Sequence, residues 1–433
     1  MKSKGSYTFT ASNQLLRRAE RVIPLGSQTF SKCHTQYPRG FAPLFLTHGR
    51  GGRVWDADGN IFIDLVCGLM PVLLGYRDVD VDRAIAEQLE KGIIFSLATE
   101  LEIELAERLV EIVPCAEAVR FGKNGSDATS AAVRVARAFT GRDRIAAGGY
   151  HGWHDWYIGS TVRDKGVPGA VGELTHRFPY GDLEALDAIL GSRPGEFAAV
   201  ILEPADDSGA AKGFLEEARF LAHEHGALLI FDEVITGFRY SLGGAQELFS
   251  VTPDLATFGK GMANGMPLSA VVGRAELMRE MEDIFFSMTF GGETLSLAAG
   301  IAVIDKLKRE PVIESIWKTG SAIVDGARRI AEAKGVSDLI RFDGLPPCHG
   351  VSFRDHENAD SNAITTFFMR EMLSGGVLIN GSHNICYAHN DTDVEAVLNA
   401  YEQTLELLAD ALKSRDFIER LGCKVIKPVF SIR

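Results

Sequence analysis

Lys260 is the residue whose surroundings most clearly suggest chemistry, because it lies between Gly259 and Gly261 in the run TPDLATFGKGMANGMPLSAVVG. A glycine on each side predicts a sharp turn with room for a planar molecule. A lysine shielded from water loses its proton readily enough to form an imine with an aldehyde. A surface lysine in a glycine loop is the alternative, and this run alone favours it. The surrounding motifs favour the chemical interpretation.

Two acids on the N-terminal side of Lys260 each follow a short apolar run. Glu203 follows Ala198–Leu202, and Asp232 follows Ala227–Phe231. Open parallel sheets bind ligands at the carboxyl ends of their strands, so both acids are predicted to lie at one sheet edge. A carboxylate there would keep a pyridine nitrogen protonated and its ring able to absorb carbanion charge. Capping of a helix is the alternative for Asp232.

Two further motifs are suited to a phosphate. Gly125 and Ser126 enter an alanine-rich helix that stops at Gly141, and Thr289 precedes a glycine pair and another helix of small residues. Unpaired N–H groups in a first helical turn, with a nearby hydroxyl, bind phosphate at the positive end of the helix dipole. Helix capping by Ser126, and a plain loop with a cap at Thr289, are the alternatives.

The segment GGYHGWHDWY carries Tyr150, His151, Trp153 and His154. Tyr150 is the candidate for stacking on an aromatic cofactor, with His151 near it, although such clusters more often pack in a core. Acidic partners at metal-site spacing are missing. The six cysteines lie far apart in the sequence, without close pairs, so we predict reduced, mostly structural thiols and no metal site.

Secondary-structure patterns place these residues in an α/β fold. The segment 52–68 alternates apolar and polar residues around Asp58-Gly59, which predicts a β-hairpin. Helical spacing over 101–112 begins an alternation of helices and strands, in which the runs before Glu203 and Asp232 form a βαβ unit with a helix closed by Gly226. A final helix is predicted near 391–413.

Composition limits the classes of function. The 433 residues are 46% hydrophobic and 24% charged with a net charge of −13, which indicates a folded protein that does not bind nucleic acid or a membrane. The start carries no apolar signal, so a cytoplasmic location is expected. This length predicts two lobes: 1–70 and 316–433 in a smaller domain, and 71–315 in a large one.

Taken together, GKNGSDAT, YHGWHD, Glu203-Pro204, DEVITGFR, FGKGMANGMPLSAVVG and TFGGETLS resemble, in order and spacing, the class III pyridoxal-phosphate aminotransferases. The likeness spans most of the chain. Within that class the chain is most similar to the branch of glutamate-1-semialdehyde 2,1-aminomutase, on WDADGNIFID and HGALLIFDEV. The resemblance implies a fold type I enzyme, with a doubly wound, mostly parallel sheet domain and a smaller α+β domain made from both chain ends.

The resemblance also implies a role for each matching residue. Lys260 corresponds to the Schiff-base lysine, Asp232 to the acid under the pyridine nitrogen, and Glu203 to an acid on the substrate side. The other matching residues contact the cofactor: Tyr150 and Val234 on the two ring faces, His151 nearby, Gly125 and Ser126 at the phosphate, and Thr289 at the phosphate of a neighbouring subunit. A homodimer using pyridoxal 5'-phosphate is implied.

Departures from the aminomutase bear on the substrate. Lys32 stands where that enzyme carries a carboxylate-binding arginine, and a lysine forms no bidentate fork. The segments Met262–Gly265 and LINGSHNICYAH also differ. The segments GSQTFSKCHTQYP and GKGMANG instead resemble family members that aminate sugar aldehydes or ketones. This resemblance implies transfer of an amino group from an amino acid to a carbonyl acceptor such as a sugar precursor. Intramolecular transfer by an aminomutase is the first alternative, and a non-catalytic protein of the same fold is a distant one.

Overall fold

A computed structural model of the chain describes residues 7–205, 212–414 and 416–427, and the structural statements that follow refer to these residues. The strands are β1 (Leu46–Arg50), β2 (Arg53–Asp56), β3 (Ile61–Asp64), β4 (Ala118–Gly122), β5 (Arg144–Gly148), β6 (Thr175–Arg177), β7 (Phe197–Leu202), β8 (Leu228–Glu233), β9 (Leu255–Phe258), β10 (Ser269–Gly273), β11 (Ile340–Leu345), β12 (Cys348–Phe353), β13 (Val377–Leu378) and β14 (Ser382–Asn384). The helices are α1 (Thr10–Ala19), α2 (Val79–Leu89), α3 (Glu100–Ile112), α4 (Gly125–Thr140), α5 (Asp155–Ile158), α6 (Gly169–Gly172), α7 (Leu183–Ser192), α8 (Lys212–Glu224), α9 (Ala245–Phe249), α10 (Ala275–Met278), α11 (Thr294–Arg309), α12 (Val312–Ala333), α13 (Ser361–Ser374), α14 (Asp391–Leu412) and α15 (Phe417–Leu421).

A seven-stranded sheet forms the centre of the larger unit, in the order β4-β10-β9-β8-β7-β5-β6. Five neighbouring strands of this sheet pair in parallel, in the spatial order β9-β8-β7-β5-β6. The strand β10 runs antiparallel to both β4 and β9. Every residue of β7 and β8 is buried, as their continuous apolar runs predict for strands covered on both faces. The predicted βαβ unit is confirmed: β7 and β8 pair in parallel, with α8 between them in the chain and Gly226 left-handed (φ +67°) after it.

The smaller unit joins the two ends of the chain through one sheet. The predicted hairpin is confirmed as β2 and β3, which pair antiparallel around Asp58-Gly59. The C-terminal strand β13 then pairs in parallel with β3, with Val377 opposite Ile63 and Leu378 opposite Asp64. The helix predicted near 391–413 is confirmed as α14, although it is not the final helix, because the short helix α15 follows it. Backbone pairing between β3 and β13 is the reason that residues so far apart in sequence share one core.

The chain divides into two compact units. Among the described residues, one takes in the chain up to Leu69, Leu73–Arg77 and the chain from Glu314, and the other takes in Met70–Val72 and Asp78–Ile313. Within the part of the chain that the structure describes, no helix combines the length and apolarity that a membrane crossing needs. All six cysteines are free thiols.

Candidate active site

Lys260 directly follows β9 and Gly259, and it opens a 3-10 turn over Lys260–Ala263. Its own backbone is left-handed, with φ +37°, whereas Gly259 is extended with φ −175°. The predicted sharp turn is therefore present, but the strain is on the lysine and not on the preceding glycine. A positive φ is uncommon for a residue with a Cβ and is frequently found at functional sites.

Asp232 lies near the carboxyl end of β8 and is 5% exposed. Its Oδ2 is 2.8 Å from Nδ1 of His151, which is 1% exposed, and its Oδ1 accepts a hydrogen bond of 3.2 Å from the Thr257 hydroxyl. The Val234 amide donates to the same Oδ1 at 3.2 Å. Burial of a carboxylate is costly unless donors surround it, and these contacts orient the group firmly. The alternative that Asp232 caps a helix does not fit, because no α-helix begins directly after it.

Glu203 lies just after β7 and binds the backbone of the Tyr150 segment. Its Oε1 accepts a 2.8 Å hydrogen bond from the Tyr150 amide. Burial raises the pKa of Glu203 to about 7, and the negative charge of Asp232 acts in the same direction, while His151 and Lys260 oppose the shift. The carboxyl of Glu203 therefore lies within the electrostatic reach of both Asp232 and Lys260.

This raised pKa predicts how pH changes stability. The folded chain holds the Glu203 proton more tightly than the unfolded chain, so the stabilisation is complete below pH 4.5 and is lost as pH rises through 7. The free energy of unfolding of Glu203→Gln should equal that of the wild type at pH 4.5. At pH 8 the variant should be more stable than the wild type by about 1–3 kcal/mol. Urea unfolding of the cofactor-free protein across this range measures the gap, and a gap independent of pH would contradict the assignment.

The start of α4 forms a cradle suited to an anion. Asn124 is the N-cap, because its side chain accepts a 3.2 Å hydrogen bond from the Asp127 amide. The alternative that Ser126 caps this helix is wrong: Ser126 lies inside the first turn, where its hydroxyl accepts a 3.2 Å hydrogen bond from the Trp153 amide. The predicted helix stop at Gly141 is confirmed, with φ +67°.

Two glycines keep this cradle open. A Cβ at Gly125 would lie 2.9 Å from a methyl group of Val234, and one at Gly152 would lie 2.2 Å from the Ser126 hydroxyl. Gly152 also has φ +100°, in the region that favours glycine. The backbone can approach so closely here only because both positions lack a side chain.

Gly152→Ala should weaken pyridoxal phosphate binding about 10- to 100-fold, since overpacking and backbone strain together cost about 1–3 kcal/mol. Gly181→Ala is the matched control, because Gly181 also has a positive φ, +84°, but a Cβ there would meet no atom within 4 Å. Equilibrium dialysis of both variants measures the affinity. Equal losses of affinity in the two variants would show that the close contact between Gly152 and Ser126 does not affect cofactor binding.

The described contacts bring most of the predicted site residues together. The side chain of Val234 lies between Gly125 and Gly259. A Cβ added at Gly125 would be 2.9 Å from this side chain, and one added at Gly259 would be 3.4 Å from it. Tyr150 is 39% exposed, and its ring makes an edge contact with Tyr157 at 5.6 Å. Thr289 is exposed in the turn before α11, and its role stays a prediction.

Sequence reasoning missed three features of the site. Thr257 is paired with Asp232 in the register of β8 and β9, and only the strand order reveals this contact. The direct contact between His151 and Asp232 was also not predicted. Glu233 follows Asp232 in the chain but points away from it: the fully buried carboxylate of Glu233 accepts hydrogen bonds from the amides of Ala245 and Gln246 at the start of α9.

Comparisons with known proteins agree with this geometry. The family model "Aminotransferase class-III" matches residues 36–411. The 3-aminobutyryl-CoA aminotransferase of Cloacimonas acidaminovorans is 37% identical over 404 residues, which cover 91% of this chain and 96% of the relative. A glutamate-1-semialdehyde 2,1-aminomutase of Methanothrix thermoacetophila is 36% identical over 435 residues, which cover 93% and 98%.

Solved structures show the same fold. The FumI protein of Sphingopyxis sp. MTA144, solved with PLP, superposes with a TM-score of 0.87 at 30% identity, covering 96% of this chain and 99% of that one. An omega-transaminase from Sphaerobacter thermophilus superposes with a TM-score of 0.83 at 28% identity, covering 92% and 98%. The predicted fold class is confirmed. This chain therefore belongs to the class III aminotransferase family, with a fold type I architecture and pyridoxal 5'-phosphate as its cofactor.

Proposed function

We propose that the protein is an aminotransferase that moves an amino group from an amino-acid donor to a separate carbonyl acceptor. The observation that carries the proposal is the Asp232 carboxylate, held by His151 and Thr257 at the end of β8 while Lys260 follows the neighbouring strand β9. A non-catalytic protein would have no reason to keep a lysine with a strained backbone beside this buried acid. Titration with pyridoxal phosphate, followed by the visible spectrum, tests whether the cofactor binds covalently.

The residues present fit the cofactor. Gly125 and Ser126 would hold its phosphate at the start of α4, Asp232 would pair with its pyridine nitrogen, and Val234 and Tyr150 would cover its ring faces. A side chain at Gly125 or Gly152 would fill this cradle. Pyridoxal phosphate supplies an electron-poor ring that stabilises negative charge next to the reacting amine.

The side chains of the protein supply the proton transfer and the orientation of the charged groups. Nζ of Lys260 takes the proton from Cα of the donor and later returns a proton to the acceptor carbon during the second half of the reaction. His151 and Thr257 hold Asp232 so that its charge faces the ring nitrogen. Because the donor product leaves before the acceptor enters, the kinetics should be ping-pong.

The chemical class of the carbonyl acceptor is a separate part of the proposal. Lys32 offers a point charge instead of an arginine fork, which argues against a site built for the semialdehyde carboxylate. We place sugar aldehydes or ketones first among the acceptors. The name of one relative, 3-aminobutyryl-CoA aminotransferase, adds a second acceptor class, 3-oxoacyl thioesters. Turnover with a panel of both classes, with glutamate as donor, decides between them; no turnover with any keto-sugar would refute the first choice.

The aminomutase remains the second candidate, since relatives 34–36% identical to this chain carry that name. The pyridoxamine form of the protein is incubated with glutamate-1-semialdehyde and no other amine. Repeated turnover to 5-aminolevulinate would favour the mutase, and strict dependence on an added amino donor would favour intermolecular transfer.

We further propose a cytoplasmic homodimer in which Thr289 reaches the cofactor phosphate of the other subunit. Lys260→Ala and Thr289→Ala subunits each lack one part of a site. If the proposal holds, a mixed dimer has one site with both lesions and one intact site, so each mixed dimer should have about half of the activity of a wild-type dimer. Native mass measurement and activity after co-refolding check this, and failure to recover activity in a confirmed mixed dimer would contradict it.

A further inference from the structure

The smaller unit contains a cluster of metal-ligating side chains that the aminotransferase site does not use. Cys67, Cys386 and His389 are all buried, and each offers a ligand atom within 4.8 Å of the others. The wide separation of the cysteines in the sequence is an argument against a metal site. Folding removes that argument for Cys67 and Cys386, because chain segments more than 300 residues apart meet at this point.

Backbone contacts hold the two segments together. The Asn384 amide, at the end of β14, donates to the carbonyl of Leu65, which directly follows β3, at 2.7 Å. Cys67 has a left-handed backbone, with φ +50°, and its Sγ lies 3.1 Å from the Asn384 carbonyl and 3.3 Å from the Asp64 carbonyl. A strained backbone at a non-glycine residue that points a thiol at a second segment is a feature often found at functional sites.

His389 completes the cluster. The Cys386 amide donates a 3.1 Å hydrogen bond to Nδ1 of His389, which binds the ring to the Cys386 segment. Nε2 of the same ring is buried and has no hydrogen-bond partner among the described residues. The ring occupies the space that a side chain at Gly52 would need, since a Cβ there would lie 2.3 Å from it. A buried polar atom without a partner calls for an explanation, and an absent ion is one.

The ligand types suit a divalent thiophilic cation. The buried Asp64 side chain accepts a 3.1 Å hydrogen bond from the Cys67 amide, which holds the Cys67 segment in place. Cysteine and histidine are the ligands that Zn²⁺ prefers, and four-coordinate zinc places ligand atoms ~3.3–3.8 Å apart. The three ligand atoms of this cluster lie within 4.8 Å of one another, which is close to that spacing.

We propose that Cys67, Cys386 and His389 bind a divalent thiophilic metal ion that links the two ends of the chain. Binding forms two metal–sulfur bonds and one metal–nitrogen bond, and the two thiol protons leave to solvent. All three ligands belong to the smaller unit, whose two chain segments the ion would join, so its role is to stabilise that unit.

The test measures metal on the holoenzyme. Protein loaded with Zn²⁺, gel-filtered and analysed by plasma mass spectrometry should retain about one zinc per chain. Cys386→Ala and His389→Ala should each weaken retention at least about 100-fold. Cys33→Ala is the matched control, because Cys33 is an equally buried thiol of the same unit, and it should retain zinc like the wild type. Equal zinc retention in all four proteins, or none in any, would overturn the proposal.

A second measurement needs no variant. Wild-type holoenzyme is treated with an alkylating agent in mild denaturant, with and without Zn²⁺, and the modified cysteines are identified by peptide mass. Zinc should protect Cys67 and Cys386 at least about tenfold while Cys33 and Cys115 react at unchanged rates. Protection of all buried cysteines alike, or a disulfide between Cys67 and Cys386 in protein purified under reductant, would overturn the proposal.

Discussion

Lys260→Ala is expected to lower kcat by about 10²–10⁴-fold or more, because a positioned proton-transfer group commonly contributes that factor. The variant should still bind pyridoxal phosphate through Asp232 and the start of α4, but borohydride reduction should no longer fix the cofactor to the peptide. Stopped-flow measurement of one half-reaction at saturating cofactor gives the rate of the proton-transfer step. A small primary amine added to the variant should recover part of this rate.

Lys306→Ala is the control for this loss. Lys306 is a buried lysine of the same unit, 7% exposed, and its Nζ lies 2.7 Å from Asp78. Its removal should lower stability, because it leaves a buried carboxylate without its partner, and should leave turnover per folded molecule within about twofold. Turnover by Lys260→Ala within tenfold of the wild type, without added amine, would defeat the proposed function.

Asp232→Asn is expected to lower kcat/KM by about 10²–10⁴-fold. The substitution keeps the shape but removes the negative charge that opposes a protonated ring nitrogen, and breaking a buried ion pair costs about 3–5 kcal/mol. The amide also presents a donor to His151 or Thr257, which both lie within hydrogen-bond distance of the carboxylate. Steady-state kinetics, with an absorbance spectrum of the bound cofactor, measures the effect.

Asp254→Asn is a closely matched control. Asp254 is 6% exposed, its Oδ2 lies 2.8 Å from Nε2 of His223, and it immediately precedes β9. It is therefore a buried carboxylate paired with histidine in the same sheet, at the amino end of a strand instead of a carboxyl end. Asp254→Asn should lose stability and keep the kinetics of the folded enzyme. Similar kinetic losses in both variants would mean that Asp232 acts only through stability.

Local patterns predicted several elements of both units. The hairpin β2–β3, the helices α3, α4 and α14, and the unit β7–α8–β8 followed from hydrophobic periodicity and from turn residues. These signals are readable because backbone hydrogen bonding and one-sided burial impose a period on neighbouring residues. Helix capping at α4 was harder: Asn124 and Ser126 are both good caps, and only the geometry of the first turn distinguishes them.

The sequence by itself determined the chemical types and their order: small residues opening a helix, an acid at the end of a buried strand, and a lysine after the next strand. Tertiary structure alone decided which side chains touch, as in His151 with Asp232, Thr257 with Asp232, and Cys67 beside Cys386. Strand order and register, set by the packing of the whole sheet, bring such residues together. No spacing within a short window records that arrangement, because the contacts join segments 25 to 319 residues apart.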